Sequence, residues 1–372
     1  MEGPAAVSDL LYSEVEEDLR ASVRDLLTDR AGFTSVLART ESAEPYDLKL
    51  WRTLAADLGL AGLAVPEELG GQGASYREVA VVLEELGRSV APVPFLGSAV
   101  LATAALLAAG DTELLPRLAG GELIGALAVP LTTAPDAGFP GGVSANTEGA
   151  LSGSVRTVAD ASVADVLVVP AVGPDGPGLY AVEKAGATVT EVVSLDLTRR
   201  LADVSFDNAS SRLLTSGPGV ESALRQALLV GAGLLASEQV GVAQWCLDET
   251  VAYLKQRYQF GRPVGSFQAL KHRLADLYLE IVSARATARY AADTLATGDS
   301  DVPVAVAVAQ STCSAVALHA AEESVQLHGG IGMTWEHPAH LYLKRAKSSE
   351  LALGTPGRHR AALAGLVNLP PA

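Results

Sequence analysis

The spacing of apolar positions along the chain changes period twice. Over residues 7–40, Leu10, Leu11, Val15, Leu19, Val23 and Leu26–Leu27 recur at helical spacing, and 46–58 continues the pattern through Trp51 and Leu54. GLAGLAVPEELGGQGAS, 59–75, is rich in Gly and holds Pro66, which predicts a structured loop. YREVAVVLEELGRSVAP, 76–92, predicts a helix closed by Gly87 and Pro92, followed by two shorter helices over 95–109 and 111–118. At Glu122 the period shortens. LIGALAVPL, ALSGSVRTV, VADVLVVPAV, GLYAVEK, ATVTEVV and ADVSFDN are short, β-branched and separated by Gly, Pro, Asp and Asn, so they predict about six strands, with GPDGPG (173–178) as a hairpin turn. From Val220 the helical period returns, over 220–258, 266–297, 302–328, 338–350 and 356–366. Small and branched apolar side chains on these segments suit a tightly packed four-helix bundle. The order predicts an α+β chain: an N-terminal all-α domain (1–121), a central β-barrel domain (122–217) and a C-terminal helical bundle (218–372).

Composition narrows the partners. Of 372 residues, 49% are hydrophobic and 19% charged, which predicts a large packed core. A formal charge of −16 argues against nucleic acid and anionic membrane surfaces as partners. The apolar stretches near 97–109 and 301–321 are Ala-rich and broken by polar residues, so they are read as buried helices and not membrane spans. The acidic N-terminus lacks the basic and apolar regions of a signal peptide, and Cys246 and Cys313 lie inside apolar helical patterns, so the expectation is a cytoplasmic protein with two core thiols. No metal-ligand spacing stands out.

Two stretches carry candidate chemistry. In VAYLKQRYQFGRPVGSFQ (251–268), Arg257 sits at a helix end, Phe260 and Gly261 interrupt it, and Gln268 opens the next helix. In VQLHGGIGMTWEHP (325–338), Gln326 precedes Gly329, Gly330 and Gly332. A guanidinium, two amides and bare glycine backbone suit a pyrophosphate and a purine.

With these motifs in this order, the chain resembles the acyl-CoA dehydrogenase family. GLAGLAVPEELGGQG, VGVAQWCLDETVAYLKQRYQFGRPVGSFQALKHRLADL and QLHGGIGMTWEHPAHLYLKRAKSSELALGT carry the resemblance, which is specific in the first and last thirds and poor in the central one. It implies FAD-linked α,β-dehydrogenation of an acyl-CoA thioester. A carboxylate base takes the α-proton, the β-hydrogen leaves as hydride, and an electron-transfer flavoprotein-like acceptor follows. It also implies a flavin held jointly: its ring by one subunit, its adenine and pyrophosphate by a neighbour. The neighbour-facing set is present as Arg257, Phe260, Val264, Phe267 and Gln268, and as Gln326, Leu327, Gly329 and Gly330; Thr355 also falls at a cofactor position.

The ring- and substrate-facing set departs from the pattern. Leu353 stands where the family's usual base precedes Gly354 and Thr355. The alternative base position, on the first helix of the bundle, is Gly231, and a substrate-steering Arg falls at Ala232. LAVPLTTAPDAG lacks the family's acid and its Gly-Ser-Asp, and Thr157 and Ala159 replace a Trp-x-Thr. An Arg-Asp pair reads Lys344-Arg345. Glu238 and Glu350 are candidates for a displaced base. Glu238 otherwise reads as a helix-interface ion pair, Asp248–Glu249 as structural, and His328 and His337 as hydrogen-bonding loop residues.

The resemblance therefore implies a subunit that completes the FAD site of a homologous partner in an α2β2 tetramer. The alternatives are a self-sufficient dehydrogenase with a displaced base, acting as a homo-oligomer, or reuse of the fold as a flavin-dependent oxygenase or oxidase or as a flavin-free acyl-CoA binder.

Overall fold

The computed structural model describes residues 10–369. The first positions of the helix expected from residue 7 lie outside the described residues, and the rest divides. Helix α1 (Glu14–Arg30) is closed at its start by a reciprocal capping box between Ser13 and Glu16, and α2 (Phe33–Thr40) follows after Gly32. Next come α3 (Leu48–Arg52), extended by a wider turn to Asp57, and α4 (Tyr76–Ser89), capped by Ser75 and Glu78. A wide-turned segment, Phe95–Ala102, runs into α5 (Thr103–Ala109), and α6 (Leu114–Ala119) completes this part.

The expected stop at Gly87 does not occur, because α4 continues through it. A Cβ at Gly87 would lie 2.1 Å from the Glu238 carbonyl oxygen. One at Gly241 would lie 1.9 Å from the Glu84 carbonyl oxygen. The two glycines therefore let α4 press backbone-to-backbone against the first bundle helix. Packing, not the end of a helix, accounts for Gly87.

The central part is one eight-stranded sheet: β1 (Gly125–Leu127), β2 (Val143–Ala145), β3 (Leu151–Ala159), β4 (Val166–Gly173), β5 (Gly176–Glu183), β6 (Thr188–Val192), β7 (Leu201–Ala209) and β8 (Arg212–Ser216). Its order is β6-β7-β3-β2-β4-β5-β8, with β1 pairing parallel to β4, and it curls around a core that includes Leu151, Leu167, Val169, Val204 and Phe206. The GPDGPG turn joins β4 to β5 in register, Gly173 facing Gly176. The spacing did not reveal β2 or β8, of three and five residues.

Helices α7 (Val220–Gln256), α8 (Gln268–Thr297), α9 (Val302–His328), α10 (Ala339–Leu351) and α11 (Pro356–Leu366) form the C-terminal part. Helices α7 and α9 are long and apolar enough to cross a membrane, but 89% and 61% of their most apolar windows are buried inside the protein, as core helices are. Between α7 and α8 lies a small hairpin, β9 (Tyr258–Gln259) with β10 (Arg262–Pro263).

Candidate functional site

Two places bring the candidate residues together. The first is the junction of α7, α10 and the sheet. Leu353 follows α10 in a left-handed conformation (φ 54°) and is fully buried. Its N–H donates to the Leu131 carbonyl at 2.7 Å, and its own carbonyl accepts from His359 Nε2 at 2.9 Å. A Cβ at Gly231 would meet Leu101 Cδ2 at 2.3 Å and Leu353 Cδ1 at 3.2 Å. Leu353 thus stands at one of the two positions where the resemblance puts a base, and with Leu101 it fills the space beside the other, Gly231. Thr355 is spent locally: its hydroxyl accepts from Arg358 N at 3.3 Å and caps α11.

The residual cavity here is about 180 Å³, lined by Leu131, Thr132, Thr157, Asp196, Leu351 and Ala352 among others. Ligand pockets usually hold about 300–1,000 Å³. No aromatic ring lines it. Thr157 itself is left-handed (φ 53°), at an irregularity in the β3–β7 ladder, and its N–H donates to Asp203 at 2.8 Å.

Beneath this cavity lies a buried ionic network. Both Glu238 oxygens accept from Arg199 Nη2, at 2.6 and 2.5 Å, and Oε1 also accepts from Arg345 Nη1 at 3.0 Å. Arg345 Nε donates to Asp196 at 2.8 Å and its Nη2 to Thr198 Oγ1 at 2.7 Å. All four charged side chains are at most 4% exposed. Burial pushes the Glu238 carboxyl upward, but Arg199 and Arg345 outweigh it and hold the group below its usual range. A carboxylate gripped by two guanidiniums is a poor proton acceptor, which corrects its candidacy as a displaced base. Glu350 fares no better: it is half-buried and ion-paired with Lys347 one turn back. Arg345, in the Lys344-Arg345 departure from the family pattern, thus bridges Glu238 and Asp196. Sequence reasoning missed Arg199, Asp196 and Leu101; the run DLTRR (196–200) was the available hint.

The second place is the end of the bundle where α7 and α9 finish. Arg257 turns extended after α7, and its carbonyl accepts from Val264 N at 2.7 Å, closing the hairpin. Phe260 at the tip is left-handed (φ 55°) and 91% exposed. Phe267 stands edge-on to it at 6.1 Å, and Gln268 opens α8 on the surface. On α9, Gln326 is exposed and Leu327 half-buried. Gly329 leaves the helix at φ 64°, ψ −139°, a backbone that suits glycine. With Gly330 it presents open main chain, since a Cβ at either would meet nothing within 4 Å. The two motifs meet through Tyr253, one turn before Arg257, whose ring packs 4.4 Å from that of His328, the residue before Gly329.

His328 and His337 are packed ring on ring at 4.1 Å, and burial lowers both pKa values, that of His337 to about 4. With Glu249 they bring ligand atoms within 4.8 Å of one another. His328 Nδ1 faces the Ser324 carbonyl at 2.6 Å, leaving its Nε2 a free lone pair. His337 Nδ1, however, accepts from Ala339 N at 3.2 Å, which puts its proton on Nε2, the atom facing Glu249 at 3.9 Å. The trio therefore does not offer three lone pairs to a cation. Asp248 bonds Arg88 at 3.0 Å and Gln244 at 2.8 Å, a structural role.

Residues 13–122 match the family described as Acyl-CoA dehydrogenase, N-terminal domain, and residues 217–366 match Acyl-CoA dehydrogenase, C-terminal domain. The chain belongs to the acyl-CoA dehydrogenase family. It is 40% identical to acyl-CoA dehydrogenase IpdE2 of Mycolicibacterium smegmatis over 92% of this chain and 96% of that one. Among solved structures it resembles a variant of the Tcur3481-Tcur3483 steroid ACAD (33% identity, TM-score 0.83, covering 95% and 98% of the two chains). It also resembles the ChsE4-ChsE5 complex from Mycobacterium tuberculosis (29% identity, TM-score 0.86, 98% and 100%). The family assignment makes the assembly an oxidoreductase acting on CH–CH bonds, with FAD as the family's cofactor. The segment between the two matched regions, 123–216, contains Thr157 and Asp196.

Proposed function

We propose that this chain is the supporting subunit of an unlike-subunit, α2β2 acyl-CoA dehydrogenase, contributing the nucleotide end of a flavin site whose ring end belongs to a homologous partner. The observation that carries this reading is the filled space at Gly231: Leu101 and Leu353 leave no room for a side chain at a position where the resemblance puts a base. The 180 Å³ cavity beside Thr157, without an aromatic wall, is small for an isoalloxazine. The α7–α9 end fits the other half of the cofactor. Arg257 would pair with the diphosphate; Gln268 and Gln326 would hydrogen-bond the nucleotide; Gly329 and Gly330 would let the backbone approach; and Phe260, Val264, Phe267 and Leu327 would cover its apolar edges and exclude water. Bound there, FAD would supply hydride acceptance to the partner's substrate. Two similar structures carry names that pair two components, which supports an unlike-subunit assembly, and the steroid named in one of them makes a bulky polycyclic acyl-CoA the substrate class to test first.

The test is co-expression with a homologous acyl-CoA dehydrogenase from the same genome. The reading requires a stable mixed complex in which flavin and dehydrogenation appear together. A flavin-loaded, active oligomer of this chain alone would refute it.

A further inference from the structure

Residues 250–275 hold five Lys and Arg residues (Lys255, Arg257, Arg262, Lys271 and Arg273) and no Asp or Glu, in a chain with a formal charge of −16. Like charges gathered this way repel one another unless something of opposite sign sits among them. Among the described residues, Arg273 alone of the five has an ion-pair partner, Glu323 at 2.5 Å. Arg257 is accounted for by the nucleotide site proposed above; Arg262 is not.

The structure fixes Arg262 without neutralising it. It lies on β10 opposite Gln259 of β9, one strand from Arg257. Its guanidinium lies over the Phe267 ring, 3.9 Å from the centroid, and Phe260 closes edge-on against the same ring. Stacking occupies one face of the guanidinium and leaves its N–H edge free to donate. An arginine held by an aromatic ring rather than a carboxylate keeps its full charge and loses little further freedom when an anion arrives. Phe267 also directly precedes Gln268, whose amide is proposed above to bond the nucleotide.

We infer that Arg262 is a second anion ligand of the nucleotide site, so that Arg257 and Arg262 together flank the diphosphate bridge of the flavin nucleotide. A diphosphate offers two charged groups, and each can accept a two-pronged guanidinium contact. The inference rests on the docking reading of the previous section but adds a residue that reading does not need.

The experiment uses the co-expressed complex of this chain with its homologous flavin-carrying subunit, with Arg262→Gln, Arg262→Lys and Arg257→Gln made in this chain. FAD release is followed by flavin fluorescence across a NaCl series, and complex mass by light scattering. Arg262 is exposed, and unchanged thermal midpoints verify that each variant folds. Arg262→Gln is expected to raise the FAD dissociation constant roughly tenfold at low salt and to flatten its salt dependence. Arg262→Lys should fall between, because it keeps the charge but not the fork. Complex mass should not change. Wild-type affinity in Arg262→Gln alongside weakened binding in Arg257→Gln overturns this inference and leaves the docking reading intact. Wild-type affinity in both overturns both. Dissociation of the Arg262→Gln subunits before flavin loss shows that this cation meets a partner carboxylate, and also overturns the inference.

Discussion

At the end of the bundle where α7 finishes, Arg257 and Arg262 stand on the surface with no carboxylate partner among the described residues, and Gly329 and Gly330 leave open space beside the main chain. In the middle of the same helix, Glu238 is closed in by Arg199 and Arg345, and Gly231 is closed in by Leu101 and Leu353. One region keeps charge and space for a ligand from outside; the other satisfies its charge internally and fills its space with side chains. Buried ions persist only when paired, and interiors pack to crystal density. On the proposed reading, a supporting subunit has no need of an open cavity in the middle of this helix, whereas its nucleotide-gripping surface would lose its ligand if its cations were paired internally.

Substitutions can break this comparison. The largest expected effect is at Glu238. Glu238→Ala leaves Arg199 and Arg345 buried without the carboxylate that both bond, and should cost about 3–5 kcal/mol in denaturant unfolding. Unchanged stability together with abolished turnover would instead restore Glu238 as a base. Next is a matched pair of glycines. Gly231→Ala drives a methyl to within 2.3 Å of Leu101, and overpacking of this kind should cost about 1–3 kcal/mol. Gly329→Ala meets no atom within 4 Å, so its cost is backbone strain alone, about 1–2 kcal/mol. Pairing either variant with Leu101→Ala separates the two: the cost of Leu101→Ala should be smaller in Gly231→Ala than in the wild type, because the truncation relieves the clash, and unchanged in Gly329→Ala. An equal cost in both would mean that the filled cavity is not what constrains Gly231.

The smallest effect is a pH dependence. His337 titrates near 4, pushed down first by burial and then by His328 and His340, against about 6.5 in the unfolded chain. The unfolded state therefore takes up the proton first, so this contribution is intact above about pH 6.5 and declines as pH falls toward 4. Asp160 runs the other way. Burial raises it to about 6, so its contribution is greatest below about pH 4 and falls as pH rises through 6. Thermal midpoints between pH 7 and 4 should accordingly fall less steeply in His337→Gln than in the wild type. Parallel curves would remove the penalty that burial places on protonating His337.

The sequence made the long elements legible because their periods are local: α7, α8 and α9 fall within two residues of the expected ends. It also put Leu353 and Gly231 at the right places to ask about, since each sits in a motif. What it could not show is who fills the space. Leu101 lies 130 residues before Gly231 in the chain, and Arg345 reaches Glu238 across 107 positions and Asp196 across 149. Such pairings leave no period to read. Gly87 misled for a related reason: a glycine that ends a helix and one that admits a neighbouring helix look the same until the neighbour is in place.

The central claim is that this chain grips the nucleotide of a flavin whose ring sits elsewhere. The most direct test is the visible absorbance spectrum of the chain purified alone and after co-purification with its homologous subunit, at matched protein concentration. The account predicts no flavin band from the chain alone and a full band from the mixture. A yellow preparation of this chain by itself, bleached by an acyl-CoA, would contradict it.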